Sequence, residues 1–134
     1  MIYDDELGKN YEQIGGVIEI NHYLTLVEMK WEKAPIGSDK VGRFISRLLV
    51  RKNIDGINIS YSSYTETVVL TAKEALAISV LALVDLQDIF EVLNQEKDLP
   101  TYFSQLIQVV KLYKNQKPII NIAELPNIDY RKIH

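Results

Sequence analysis

Residues 23–31 read YLTLVEMKW, and the placement of their two charges decides how the chain is read. Leu24 and Leu26 on one side of the run answer Val27 and Met29 on the other. Apolar side chains leaving both faces mark a central strand covered on both sides. Glu28 and Lys30 stand two residues apart inside it, and a strand sends residues i and i+2 to the same face. A buried charge costs several kcal/mol unless it is paired or used. Two readings follow: a structural ion pair, or a catalytic site.

Upstream, residues 17–20 (VIEI) form a short strand, and Asn21-His22 supplies a two-residue turn, giving an antiparallel hairpin. If Ile20 then faces Tyr23, counting back sets Gly15 opposite Glu28. Downstream, Pro35 and Gly37 break the chain, Ser38 is a candidate N-cap, and Val41, Phe44, Ile45, Leu48 and Leu49 follow helical spacing to about Lys52. Asp55-Gly56 turns the chain into a third strand, INIS. Thr65 or Ser63 caps a helix over residues 66–77, and SVLALV is an apolar fourth strand. Asp85 caps a third helix, and Asp98 with Pro100 opens a fourth that runs to about Lys114. Residues 1–10 are a polar lead-in, and residues 118–134, with two of the prolines, an extended tail. Strands separated by helices require parallel pairs. The expected fold is α/β: a mixed β-sheet, antiparallel hairpin plus parallel strands, flanked by helices, in a single domain.

Composition narrows the chemistry. The chain has 134 residues, 47% hydrophobic and 25% charged, with a net charge of -3. That suits one globular domain. The charge carries no overall nucleic-acid footprint, so any such role rests on a local basic surface. There are no cysteines and only two histidines, His22 and His134. Disulfides are excluded and zinc chemistry nearly so, whereas oxygen ligands for Mg²⁺ remain available. No apolar run approaches the ~18 residues of a membrane span, and the acidic N-terminus lacks a signal-peptide pattern. The expected compartment is the cytoplasm.

The order of these elements, with IGGVIEI, YLTLVEMKW, the PIG before the first helix and GINISYSSYTE after it, resembles the PD-(D/E)xK nucleases, and most closely their Mrr-like restriction-endonuclease branch. The resemblance covers residues 13–118. It implies a restriction-endonuclease-like fold and Mg²⁺-dependent (or Mn²⁺-dependent) cleavage of DNA phosphodiesters. Glu28 and the Met29 backbone carbonyl would hold the metal, which polarises the phosphate and lowers the pKa of its water. Lys30 would position that water or stabilise the charge on the phosphorane. The family's further metal-binding Asp falls at Gly15, about 5 Å across the strands from Glu28. Glu19 shares that face but lies roughly 13 Å along the strand. Glu12 and Asp5, upstream, are the other candidate acids, by folding back. Three explanations stand open: a naturally degenerate nuclease, a variant made to abolish cleavage, or a substitute acid. The family's helix before the hairpin, often carrying another Glu, has only a short polar segment in its place, which implies truncation or an element borrowed from a partner. The implied function is an impaired DNA endonuclease; the alternative is an inactive nuclease-fold module that binds DNA or a protein partner.

Lys40, Arg43, Arg47 and Arg51 recur at three- and four-residue spacing opposite the apolar face of the first helix. They would contact DNA phosphates, although an ordinary solvated helix face has the same spacing. Ser62, Tyr64 and Thr65 place hydroxyls at a strand end, where α/β folds bind ligands; Thr65 serves equally as a helix cap. His22 is expected to be exposed, and Trp31 to pack rather than stack on a base. An exposed apolar helix face would suit a homodimer.

Overall fold

The hairpin carries the register that a two-residue turn demands. In the computed structural model, which describes residues 13–20, 22–31, 33, 35–51, 54–75 and 80–132, strand β1 (Gln13–Ile20) pairs antiparallel with β2 (Tyr23–Lys30). Ile20 faces Tyr23 and Gly15 faces Glu28. His22 has φ 70°, the left-handed conformation that tight hairpin turns use. Asn21, the lead-in at 1–10, Glu12 and the place of the family's N-terminal helix lie outside the described residues.

Beyond the hairpin the strands become parallel. Strand β3 (Asp55–Ser60) lies beside β2, β4 (Leu81–Asp85) lies beside β3, and the order is β1-β2-β3-β4. The α1 helix (Ser38–Val50) links β2 to β3, and α2 (Glu66–Ala75) stands between β3 and β4. Helices α3 (Leu86–Asn94) and α4 (Leu99–Tyr113) follow. This is the expected α/β fold with a mixed sheet. No helix among the described residues is long and apolar enough to cross a membrane.

Alternation along the strands divides the core in two. Leu81 and Leu83 pack with Ile36, Val41, Phe44, Ile45, Leu48 and Val68 beneath α1 and α2. Ile57, Ile59, Ala82 and Val84 pack with α3 and α4 on the opposite face. In α1 the buried residues follow i, i+3, i+4, i+7, the stripe of a helix laid on a sheet. Leu49, read as part of that stripe, is exposed, because it stands one position beyond the face that Leu48 buries.

The helix ends differ in small ways from expectation. Gly37 is the N-cap of α1, Ser38 is its first residue, and the helix stops at Val50 rather than near Lys52. The α2 helix is described only to Ala75, short of the expected 77. Asp98 caps α4 as expected, accepting from the Thr101 N–H at 3.1 Å. Asp85 is the N-cap residue of α3, yet its side chain makes no cap bond; it pairs with Lys117 at 2.8 Å instead. The tail is not simply extended. It contains 3₁₀ turns at Ile122–Glu124 and Tyr130–Lys132, which bend it so that Leu125 enters the core. Backbone bonds of 2.8 Å, Asp98 N–H to Pro126 O and Ile128 N–H to Glu96 O, fasten it. The segment after α4 also bonds to the outer edge of β4, where Leu83 N–H donates to Gln116 O at 2.6 Å, pairing an edge that would otherwise invite association.

Gly56 lets α1 approach the sheet. A Cβ there would lie 2.6 Å from Leu48 Cδ1 and 2.9 Å from Phe44 Cε2. Gly56→Ala would gain about 0.4–1 kcal/mol by stiffening the unfolded chain, but overpacking costs about 1–3 kcal/mol. The net expectation is destabilisation, read in urea unfolding as a lower midpoint with an unchanged slope.

Candidate active site

Pairing of the three parallel strands assembles a polar stripe from residues distant in sequence. Glu28 stands beside Asn58, Lys30 beside Ser60, and Ser60 beside Asp85. All five fall on the sheet face that α1 covers, near the C-terminal ends of the strands, where open α/β sheets bind ligands. Glu28, Lys30, Asn58 and Ser60 are buried, Glu28 to 3% exposure.

That burial requires compensation. Lys30 Nζ lies 3.4 Å from Glu28 Oε1, so the two charges of the central strand do share one pocket. Arg47 of α1 reaches down and donates through Nη1 to Glu28 Oε2. The sequence pattern places Arg47 in a surface stripe with Arg43; the structure leaves Arg43 exposed and turns Arg47 inward onto the carboxylate. The partner is 19 residues away in sequence, and helical spacing alone contains no signal for it. Breaking a buried ion pair by removing one member costs ~3–5 kcal/mol, so this trio holds α1 to β2.

Gly15 lies directly opposite Glu28. A Cβ there would meet only the Val27 carbonyl oxygen, at 3.4 Å, an ordinary contact. The position therefore has room for a side chain on the Glu28 face. Hard divalent cations want several oxygen ligands. The set in place is one carboxylate against two cations, and the described residues contain no group of three His, Cys, Asp or Glu side chains that could hold a metal. Glu19, expected to be too far, pairs with Leu24 and is exposed near His22. Among the described residues, Lys30 and Arg47 leave the immediate surroundings of Glu28 net cationic.

The remaining polar groups order one another. The Tyr64 hydroxyl sits 2.8 Å from Asn58 Oδ1 and 2.6 Å from the Asn58 carbonyl. Tyr64, expected at a DNA backbone, is thus turned inward. Burial pushes its phenol well above the usual value of 10.0, with the Asp85 and Glu28 carboxylates adding to the rise. Thr65 Oγ1 accepts from the Val68 N–H at 3.3 Å and so caps α2. Ser60 Oγ donates to Ser63 O at 2.8 Å and accepts from the Ser62 N–H at 3.2 Å, bracing the loop that carries Ser62. Ile36 bonds to Ser63 O and Thr65 N–H, docking the PIG segment against the same loop. Glu28 Oε1, Asn58 Nδ2 and Asp85 Oδ1 are buried without a hydrogen-bond partner among the described residues. Comparison with protein-family models, with curated proteins and with solved structures returned no significant match to this chain.

Tyr64→Phe leaves Asn58 Oδ1 without its donor and is expected to cost about 1–3 kcal/mol. The folded-state phenol titrates above the unfolded one, so its contribution to stability is complete below about pH 10 and is lost as pH rises from there toward the folded value. Denaturant titrations at neutral and alkaline pH should show a shallower alkaline loss of stability in Tyr64→Phe; an unchanged alkaline slope would contradict the assignment.

Proposed function

We propose that this domain is a nuclease-fold module of the PD-(D/E)xK, Mrr-like type that engages DNA at the Glu28–Lys30–Arg47 site and cleaves it weakly or not at all. The observation that carries the reading is the pairing of Gly15 with Glu28. The second acidic ligand of such nucleases would stand there, and this chain has no side chain in that place. In a complete site, Mg²⁺ or Mn²⁺ would supply polarisation of the phosphate and an acidified water. This chain's own groups are suited to another part of the task. Arg47, partly exposed, offers a guanidinium to phosphate oxygens, while Lys30 stays buried against Glu28. Arg43, exposed on α1, adds a cation at the surface. Binding of DNA by this set requires no metal. A cytoplasmic setting, in keeping with the absence of cysteine, and a homodimer able to address both strands belong to the same proposal.

The test restores the carboxylate. Gly15→Asp is sterically permitted by the 3.4 Å contact to Val27 O. The parent is expected to bind DNA equally well with and without Mg²⁺ and to leave plasmid intact. Gly15→Asp, and more so Gly15→Asp with Arg47→Lys, should bind Mg²⁺ by calorimetry and nick plasmid at a rate at least tenfold above the parent, with both gains lost on adding Glu28→Gln. A folded Gly15→Asp protein that neither binds Mg²⁺ nor nicks DNA would remove the nuclease ancestry.

A further inference from the structure

Beyond the ends of β2 and β3 the chain exposes two aromatic rings. Trp31 follows Lys30 and Tyr61 follows Ser60, at a point where the two strands are in register. The Tyr61 N–H donates to Lys30 O at 3.0 Å, fixing the backbones side by side. The rings stack with centroids 5.6 Å apart and planes inclined by 26°. Even so, Trp31 remains 41% exposed and Tyr61 57% exposed. Core packing does not account for the pair, since large aromatics stabilise a fold chiefly when covered. Each ring shields part of the other, and both keep surface open to water.

One exposed cation adjoins the pair in sequence: Lys33, two residues after Trp31; Lys30 and Arg47 are engaged by Glu28 on the face that α1 covers. Rings that present a free π-face beside cations are how proteins hold unpaired nucleotides: the base stacks on the ring and the phosphates follow the charge. An intact duplex keeps its bases stacked within the helix, and presenting one to a side chain requires unstacking it.

We propose that Trp31 and Tyr61 form a stacking platform for an unpaired nucleobase, so that the module takes single-stranded or locally unpaired nucleic acid in preference to intact duplex. The proposal depends on the nuclease-fold reading for the class of polymer bound, but it stands on a separate pair of residues. Trp31 is the sole tryptophan of the chain, so tryptophan emission reports from the platform alone.

The experiment compares a short single-stranded oligodeoxynucleotide, an abasic strand of equal length and the matching duplex, by anisotropy of the labelled strand and by Trp31 emission. The base-bearing strand is expected to quench Trp31 and to bind about tenfold more tightly than the abasic strand, the scale of one stacked base. Tyr61→Ala and Trp31→Ala, both at exposed positions, should bring that ratio close to one while leaving abasic binding unchanged. Equal binding of base-bearing and abasic strands, or a ratio that survives in Tyr61→Ala, overturns the platform. Tight binding of duplex and abasic strand alike sinks the platform and leaves the DNA-binding reading standing; no binding by any strand removes both.

Discussion

A buried carboxylate imposes the central constraint on this molecule. Glu28 occupies a central strand with almost no contact with water, and a lone charge in that position would be intolerable. Lys30 from the same strand and Arg47 from α1 supply the compensating charge. Their geometry requires α1 to lie close over β2 and β3, and the bare Cα of Gly56 permits that approach. The ion trio and the packing of Phe44 and Leu48 are therefore two parts of one contact, one polar and one apolar, between the same helix and the same sheet.

Parallel pairing then extends the polar stripe across the sheet. Because β2, β3 and β4 run in one direction and in register, each strand contributes its polar residues at the same end. Asn58 is held by Tyr64 from the loop before α2, and Asp85 is held by Lys117 from the segment that closes the β4 edge. The opposite face is apolar at Ile57, Ile59, Ala82 and Val84, with Asp55 at the start of β3 paired to Lys111 of α4, so that layer chiefly stabilises the fold while the other carries most of the polar groups. With no side chain at Gly15, Lys30 and Arg47 outweigh the one carboxylate of Glu28 in its immediate surroundings among the described residues.

Much of this was legible in the order of residues. Turn length and two-fold alternation set the hairpin register, down to Gly15 facing Glu28, because a strand allows only two side-chain directions and a tight turn permits no slippage. Placement of Glu28 and Lys30 on one face followed from the same periodicity. Helical spacing revealed α1, and the Asp98-x-Pro signal marked the start of α4. Local rules were sufficient wherever the deciding contact lay within a few residues.

Contacts between distant segments followed no such rule. Arg47 reads as one cation in a solvated stripe until the sheet beneath supplies a carboxylate; Tyr64 reads as a surface hydroxyl until Asn58 and Val84 close around it. Asp85 reads as a cap until Lys117 arrives from 32 residues away, and the tail reads as extended until the core claims Leu125. The sequence by itself determined the strands, the register of the hairpin and the shared face of Glu28 and Lys30, because these depend on backbone periodicity. Tertiary structure alone decided which cation meets which acid, because that depends on the three-dimensional juxtaposition of elements and on the cost of leaving a charge unpaired away from water.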